Sequence, residues 1–156
     1  MTMERLVLTG RRILAWWIDA FAVGAVVIVL RWIINAITAH TGALTTAPAD
    51  GLLNGTAQTT YETIAWAVFF YVYRVIFEGR YRTSLGKWSL GLEVVSPYPS
   101  YQVAAVRNSW LLLTLVGIWV YPWQDIIPIV VGATMFIWGQ HVFDKLAGAI
   151  VPEKMR

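Results

Sequence analysis

The sequence predicts an all-α membrane protein: a polytopic bundle of four transmembrane helices, with both termini cytoplasmic and a short interfacial amphipathic segment. Apolar residues make up 58% of the 156 residues and charged residues only 13%, whereas about 25% of a soluble domain is charged. Many of the 9 Trp and 7 Tyr lie near the ends of apolar runs, as is typical of side chains at the headgroup level. The chain has no Cys, which excludes disulfides and thiolate metal sites.

Four apolar segments account for the predicted helices, and we treat residues 1–156 as a single transmembrane domain. A span needs about 20 apolar residues to cross the bilayer, and the segments are placed at about 13–37, 61–78, 103–121 and 126–143. Residues 122–125 predict a tight turn between the last two spans, because a helix usually ends before a proline. The alternative is one bent helix through Pro122, which leaves three spans.

The distribution of basic residues predicts the orientation. Lys and Arg occur in the N-terminal stretch, in the loop 79–102 and in the C-terminal tail, but not in the loop 39–60 or the turn 122–125. Cytoplasmic loops carry the excess of Lys and Arg. This pattern favours four spans, an external loop at 39–60, a cytoplasmic loop at 79–102 and cytoplasmic N- and C-termini.

A carboxylate inside the first span is the most informative single residue. Asp19 lies seven residues after Arg12, hence about 10 Å below the inner surface at 1.5 Å per residue. Arg74 in the second span falls at a similar depth, about 5–8 Å below that surface, so the two can pair. An intramembrane ionisable residue usually faces the protein interior and has a partner. The pair has two interpretations: a structural contact between helices, or a carboxylate that exchanges a proton or cation.

Two further charges are predicted at the same membrane level, Arg107 at the start of the third span and Asp144 at the end of the fourth. We therefore expect one inner-side polar cluster formed by Arg12, Asp19, Arg74, Arg107 and Asp144. The alternative for Arg107 and Asp144 is ordinary helix-end charge solvated by headgroups. On the outer side, Arg31 is expected to pair with Asp125 or to contact lipid phosphate.

The arrangement of these residues resembles the RDD family, membrane proteins named for one arginine and two aspartates. The first helix carries Arg12-x-x-Ala15-x-x-x-Asp19. Residues 86–95, GKWSLGLEVV, are similar to the family's GK-x-x-x-GL-x-V-V cytoplasmic segment. Residues 144–151, DKLAGAIV, are similar to its terminal D-(K/R)-LAGT-x-V pattern. The resemblance implies that Asp144 is the second aspartate and that Gly86, Lys87 and Gly91 form a cytoplasmic motif.

The resemblance also implies a multi-pass protein of the bacterial inner membrane whose activity is unassigned. Transport of a small ligand, or cation/proton exchange, through an oligomeric bundle is one function that it implies. The alternative is a non-catalytic accessory or assembly subunit of a larger membrane protein complex. The expected partners are the lipid bilayer and either further copies of the chain or a membrane complex, while the ligand or ion is unknown.

The residues of the cytoplasmic motif also predict a local structure. Leu85, Trp88, Leu92 and Val95 fall at helical spacing on one side, with Lys87 elsewhere, which favours a short helix lying in the cytoplasmic interface. A phosphate-binding loop would need G-x-x-x-x-G-K-[ST] after a strand, and this pattern is missing from the sequence.

No residue pattern indicates catalysis. His40 and His141 have no second His, Cys or carboxylate at metal-ligand spacing, so we expect neither an enzyme nor a metal or cofactor site. No Lys/Arg cluster with interleaved aromatic residues indicates nucleic acid binding.

Overall fold

The computed structural model describes residues 3–41, 53, 55–94, 101–118, 123–138 and 142–148. Within these ranges the fold is all-helical, as predicted, and contains no β-strand. The helices are α1 (Met3–Thr41), α2 (Thr56–Tyr81), α3 (Leu85–Ser89), α4 (Tyr101–Asn108), α5 (Trp110–Leu113), a 3₁₀ helix (Thr114–Ile118), α6 (Trp123–Trp138) and α7 (Val142–Leu146).

Helix α1 is the element that indicates a membrane. Its residues Val7–His40 are long and apolar enough to cross a bilayer, and it is the one helix in the described part of the chain that meets this length and composition. Large apolar side chains such as Phe21 and Trp32 are 70% exposed along it, which suits a surface that faces lipid. The predicted first span lies inside α1, and the predicted second span, 61–78, lies inside α2. The number of spans and their orientation stay predictions.

The predicted third span is not one continuous helix. It consists of α4, α5 and the 3₁₀ helix, with a tighter turn at Ser109, whose backbone keeps right-handed helical angles. The Ser109 hydroxyl donates to the Val106 carbonyl oxygen at 2.8 Å, and the Thr114 hydroxyl donates to the Leu111 carbonyl oxygen. Such local hydrogen bonds from Ser and Thr compete with regular helical bonding and bend helices. Residues 119–122, and with them the question of a turn or bend at Pro122, lie outside the described residues.

The apolar core lies between α1, α2, α5 and α6. Val23 and Val27 of α1 and Phe70 of α2 belong to one cluster of buried residues, together with Trp110 and Ile127. The ring of Trp16 lies beside the rings of Trp66, Phe70 and Trp110. A second, smaller cluster is formed by Ala15, Leu92 and Val94. It packs residues 82–94, here called the connecting segment, against α1.

The connecting segment begins with a sharp reversal after α2. Arg82 has a φ of 56°, and its backbone N–H donates to the Glu78 carbonyl oxygen at 3.1 Å. The Val94 N–H then donates to the Arg82 carbonyl oxygen at 2.7 Å, which closes the segment into a compact loop. Ser84 is the N-cap of α3 and accepts from the Lys87 N–H.

The structure of the connecting segment differs in part from the predicted interfacial helix. Trp88 is 74% exposed, as a headgroup-facing residue would be, but Leu92 is only 2% exposed and packs in the bundle. Lys87, expected to lie off the apolar side of an interfacial helix, is instead buried in the protein, with 4% exposure. The prediction failed here because it used only the spacing within the segment, whereas the position of Lys87 depends on an acidic partner in α2.

Candidate functional site

The carboxylate of Asp19 is fully buried and accepts four hydrogen bonds. Its Oδ1 accepts from the Tyr73 hydroxyl at 2.7 Å and from the Gly86 N–H at 2.8 Å. Its Oδ2 accepts from Arg74 Nη1 and from the Ser84 hydroxyl, both at 2.6 Å. A carboxylate has about four lone-pair sites, so every acceptor position of Asp19 is used.

The donors to Asp19 come from two different parts of the chain. Tyr73 and Arg74 belong to α2, while Ser84 and Gly86 belong to the connecting segment. The Tyr73 hydroxyl also accepts from the Leu85 N–H at 2.8 Å, and Arg74 Nη1 lies 3.3 Å from the Ser84 hydroxyl. Asp19 therefore joins α1 to α2 and to the connecting segment at a single point.

Glu78 is the acidic centre of the cluster, and it is surrounded by three cations. Its carboxylate lies 3.1 Å from Arg74 Nε and 3.3 Å from Arg107 Nη1, and it pairs closely with Lys87 Nζ. Asn108 bridges Arg74 and Glu78, because its Oδ1 accepts from Arg74 Nε at 3.1 Å and its Nδ2 donates to the Glu78 carboxylate at 3.2 Å. The Glu78 carboxylate thus binds α2, α4 and the connecting segment together.

A second aspartate closes the cluster on the side of α7. Asp144 is buried, and its Oδ1 accepts from Arg107 Nε. Asp144 also attracts the guanidinium of Arg12, while Arg107 repels it. The whole set, here called the buried ionic cluster, consists of Arg12, Asp19, Arg74, Glu78, Lys87, Arg107 and Asp144.

Gly86 is required by the close approach of the connecting segment to α1. A Cβ atom at this position would lie 1.9 Å from the carbonyl oxygen of Ala15. Ala15 is itself completely buried, so neither backbone has room for a larger neighbour. This contact brings the Gly86 N–H within reach of Asp19, one turn further along α1.

The buried ionic cluster has four cations and three carboxylates. Arginine stays protonated in proteins, whereas a buried lysine readily changes its pKa. Burial, followed by the repulsion of Arg107 and Arg74, lowers the pKa of Lys87 from 10.5 to about 7. Lys87 is therefore the residue at which the cluster can lose its excess positive charge.

Comparison with known protein families gives a match over most of the chain. The sequence profile of the RDD family matches residues 6–148, nearly the whole chain. The chain belongs to the RDD family. Neither a curated protein nor a solved structure matches the sequence. Membership of the RDD family, together with the long apolar α1 helix, indicates a membrane protein.

The RDD protein brings together all five residues of the expected polar cluster: Arg12, Asp19, Arg74, Arg107 and Asp144. None of them is a headgroup-solvated helix-end charge in this structure, because each is buried. The three residues of the predicted cytoplasmic motif have different roles in the structure. Gly86 allows close packing, Lys87 joins the cluster, and Gly91 occupies a turn with a φ of 67°.

Sequence reasoning missed four members of the site. Glu78 is buried at the centre of the site. Tyr73 and Ser84 donate to the Asp19 carboxylate, and Asn108 donates to the Glu78 carboxylate. One signal was available for Glu78, since it lies four residues after Arg74 and therefore on the same helix face.

Arg31 also has a different partner from the one expected. Its Nη1 donates to Glu62 at 2.6 Å. The side chain of Asp125, the expected partner, lies outside what the structure describes.

Proposed function

We propose that this RDD protein is a non-catalytic accessory or assembly subunit in the bacterial inner membrane, and that its buried ionic cluster holds the helices together. The observation that carries the proposal is the full hydrogen-bonding of Asp19. Ionisable residues that carry ions or protons across a membrane line a pathway for the ion or a water-filled cavity. Asp19 is 0% exposed and all four of its acceptor positions are taken.

The proposal includes the four-span topology with both termini cytoplasmic. The length of α1 and the absence of Lys and Arg from residues 39–60 support it. In this orientation the buried ionic cluster lies near the cytoplasmic side, and the connecting segment covers it from that side.

The proposed partners are the lipid bilayer and either further copies of the chain or a larger membrane complex. Residues on the outward surface of α1 support this, because Leu14, Trp17, Phe21 and Ile28 are exposed and apolar. Apolar residues that do not pack in the protein's own core are suited to lipid or to other membrane helices.

A second candidate function is cation/proton exchange or small-ligand transport. The pKa of Lys87, at about 7, favours it, because a group that titrates near neutral pH can release and take up a proton under physiological conditions. The Lys87 and Glu78 pair, rather than Asp19, would then be the exchanging site.

A measurement of cation-dependent pH change distinguishes the two functions. The purified protein is reconstituted in vesicles that contain a pH-sensitive dye, and Na⁺ or K⁺ is added outside. An accessory subunit gives no cation-dependent pH change above that of empty vesicles. A pH change that is present in the wild type and lost in correctly folded Lys87→Met vesicles would overturn the proposal in favour of exchange.

A parallel measurement of folded yield tests the structural role. Asp19→Asn is expected to lower the fraction that elutes as a single species in size-exclusion chromatography. Glu62→Gln, which makes the same chemical change in the half-exposed pair with Arg31, serves as the matched control and is expected to keep a normal yield. Equal yields of the two variants would argue against the structural role.

A further inference from the structure

A groove with one charged end runs between α1 and α6. It has a volume of about 510 Å³, within the range of ligand sites. Its lining is apolar along most of its length, with Ile13, Trp17, Trp110 and Ile129 among the contributing residues. Among the described residues, Arg12 is the charged one in this lining. Ile129 is 69% exposed and Trp17 is half-exposed, so the groove opens sideways toward the surface that faces lipid.

The polar groups of the groove donate hydrogen bonds. Arginine and tryptophan side chains have N–H donors and no acceptor. Trp16 lines this groove and also the groove that contains Gly24, and its buried indole N–H has no hydrogen-bond partner within the part of the chain that the structure describes. An occupant must therefore bring acceptor oxygens to the Arg12 end and an apolar portion to the remainder.

Charge complementarity selects an anion. Asp144 attracts the Arg12 guanidinium and accepts a hydrogen bond from Arg107, and the buried ionic cluster holds more cations than carboxylates. A guanidinium has five N–H donors, so Arg12 can bind an additional oxygen anion while it remains near Asp144. Lys87 can lose the excess charge by releasing a proton, but it does not line this groove. Arg12 is the cation that a molecule in the groove can reach.

We propose that the groove binds an anionic phospholipid, with its phosphate at Arg12 and one acyl chain between α1 and α6. The side opening admits a molecule from the bilayer, the apolar lining suits a hydrocarbon chain, and the donors at one end suit phosphate and ester oxygens. This inference is independent of whether the protein is an accessory subunit or an exchanger.

The test uses Gly132→Leu, which fills the groove without changing a charge. Gly132 lines the groove, and a Cβ atom there meets no other atom within 4 Å. Gly24→Leu is the matched control, because Gly24 also has open space around its Cβ position but lines a neighbouring groove. That groove lies on the side of Glu62 and Thr63 and has Trp16 and Pro128 in common with the first. Neither glycine belongs to the buried ionic cluster.

The measurement is native mass spectrometry of the detergent-purified protein titrated with phosphatidylglycerol or phosphatidylcholine of the same acyl chains. We expect the wild type and Gly24→Leu to retain phosphatidylglycerol about fivefold more strongly than phosphatidylcholine, the factor expected for one Arg near an anionic headgroup. Gly132→Leu is expected to lose this retention.

Three results would overturn the proposal. The first is equal retention of the two lipids by the wild type. The second is unchanged retention of phosphatidylglycerol in Gly132→Leu. The third is displacement of the bound lipid by millimolar inorganic phosphate, since a site for the free ion does not depend on an acyl chain.

Discussion

Replacing Gly86 with alanine tests whether the connecting segment must lie directly on α1. The added methyl carbon would lie 1.9 Å from the Ala15 carbonyl oxygen, whereas carbon and oxygen atoms in contact are normally about 3.3 Å apart or more. Because both atoms belong to backbone, a side-chain rotation cannot relieve the clash. The connecting segment must therefore withdraw from α1 by more than about 1 Å.

This displacement lowers the free energy of unfolding, and the contacts of Gly86 determine by how much. Its N–H donates to Asp19 at 2.8 Å, and a withdrawal of this size takes the pair beyond hydrogen-bond distance. Loss of a hydrogen bond to a charged group costs about 1.5–3 kcal/mol, and overpacking a tight contact costs about 1–3 kcal/mol. We expect the free energy of unfolding to fall by roughly 2.5–6 kcal/mol, a large part of a typical domain stability of about 5–15 kcal/mol.

The assay is thermal unfolding in detergent, followed by tryptophan fluorescence and by the loss of the monodisperse chromatographic peak. Gly10→Ala is the control, because Gly10 lies in α1 and a Cβ atom there meets nothing within 4 Å. It should leave the melting temperature unchanged or raise it slightly, since Ala is the better helix former. A Gly86→Ala protein that melts with the wild type would refute the close approach of the connecting segment to α1.

Two further predictions concern the centre of the buried ionic cluster. Burial lowers the pKa of Lys87 to about 7, so between pH 7 and its ordinary value of 10.5 the unfolded chain binds more protons than the folded chain. The free energy of unfolding contributed by Lys87 should therefore rise from pH 7 to pH 9, and Lys87→Met should remove this rise; identical pH profiles of the two proteins would contradict the lowered pKa. Glu78→Gln should cost about 3–5 kcal/mol in denaturant unfolding, because it leaves three buried cations without their shared carboxylate, and a loss no larger than that of Glu62→Gln would contradict the central place of Glu78.

The sequence predicts the positions of the two long helices, α1 and α2. The apolar runs that predict the first two spans contain only a few charged residues and no proline, and α1 and α2 cover both of them. The tighter turn at Ser109 could not be predicted from hydropathy, since local hydrogen bonds such as the one from the Ser109 hydroxyl leave no hydropathy signal. Hydropathy averages over such local contacts.

The predicted depth of the charged residues was enough to place Asp19 beside Arg74, because both fall in predicted spans whose predicted direction rests on loop charge. The same reasoning treated Glu78 as the end of a span and overlooked that it shares a helix face with Arg74. Lys87 was expected to lie off the apolar side of a short cytoplasmic helix, because the spacing within a segment gives no information about a carboxylate on another helix. Long-range pairs of this kind depend on how the chain returns after α2, which a single sequence does not specify.

The most direct test of the structural role of the Asp19 and Arg74 pair is a double-mutant cycle. The free energy of unfolding is measured for the wild type, Asp19→Asn, Arg74→Gln and the double variant. Each single change is expected to cost about 3–5 kcal/mol, because it leaves a buried charge without its partner. The double variant should recover about 0.5–3 kcal/mol relative to the sum of the single changes. Losses that simply add, or an Asp19→Asn protein as stable as the wild type, would contradict the conclusion that this pair holds the helices together.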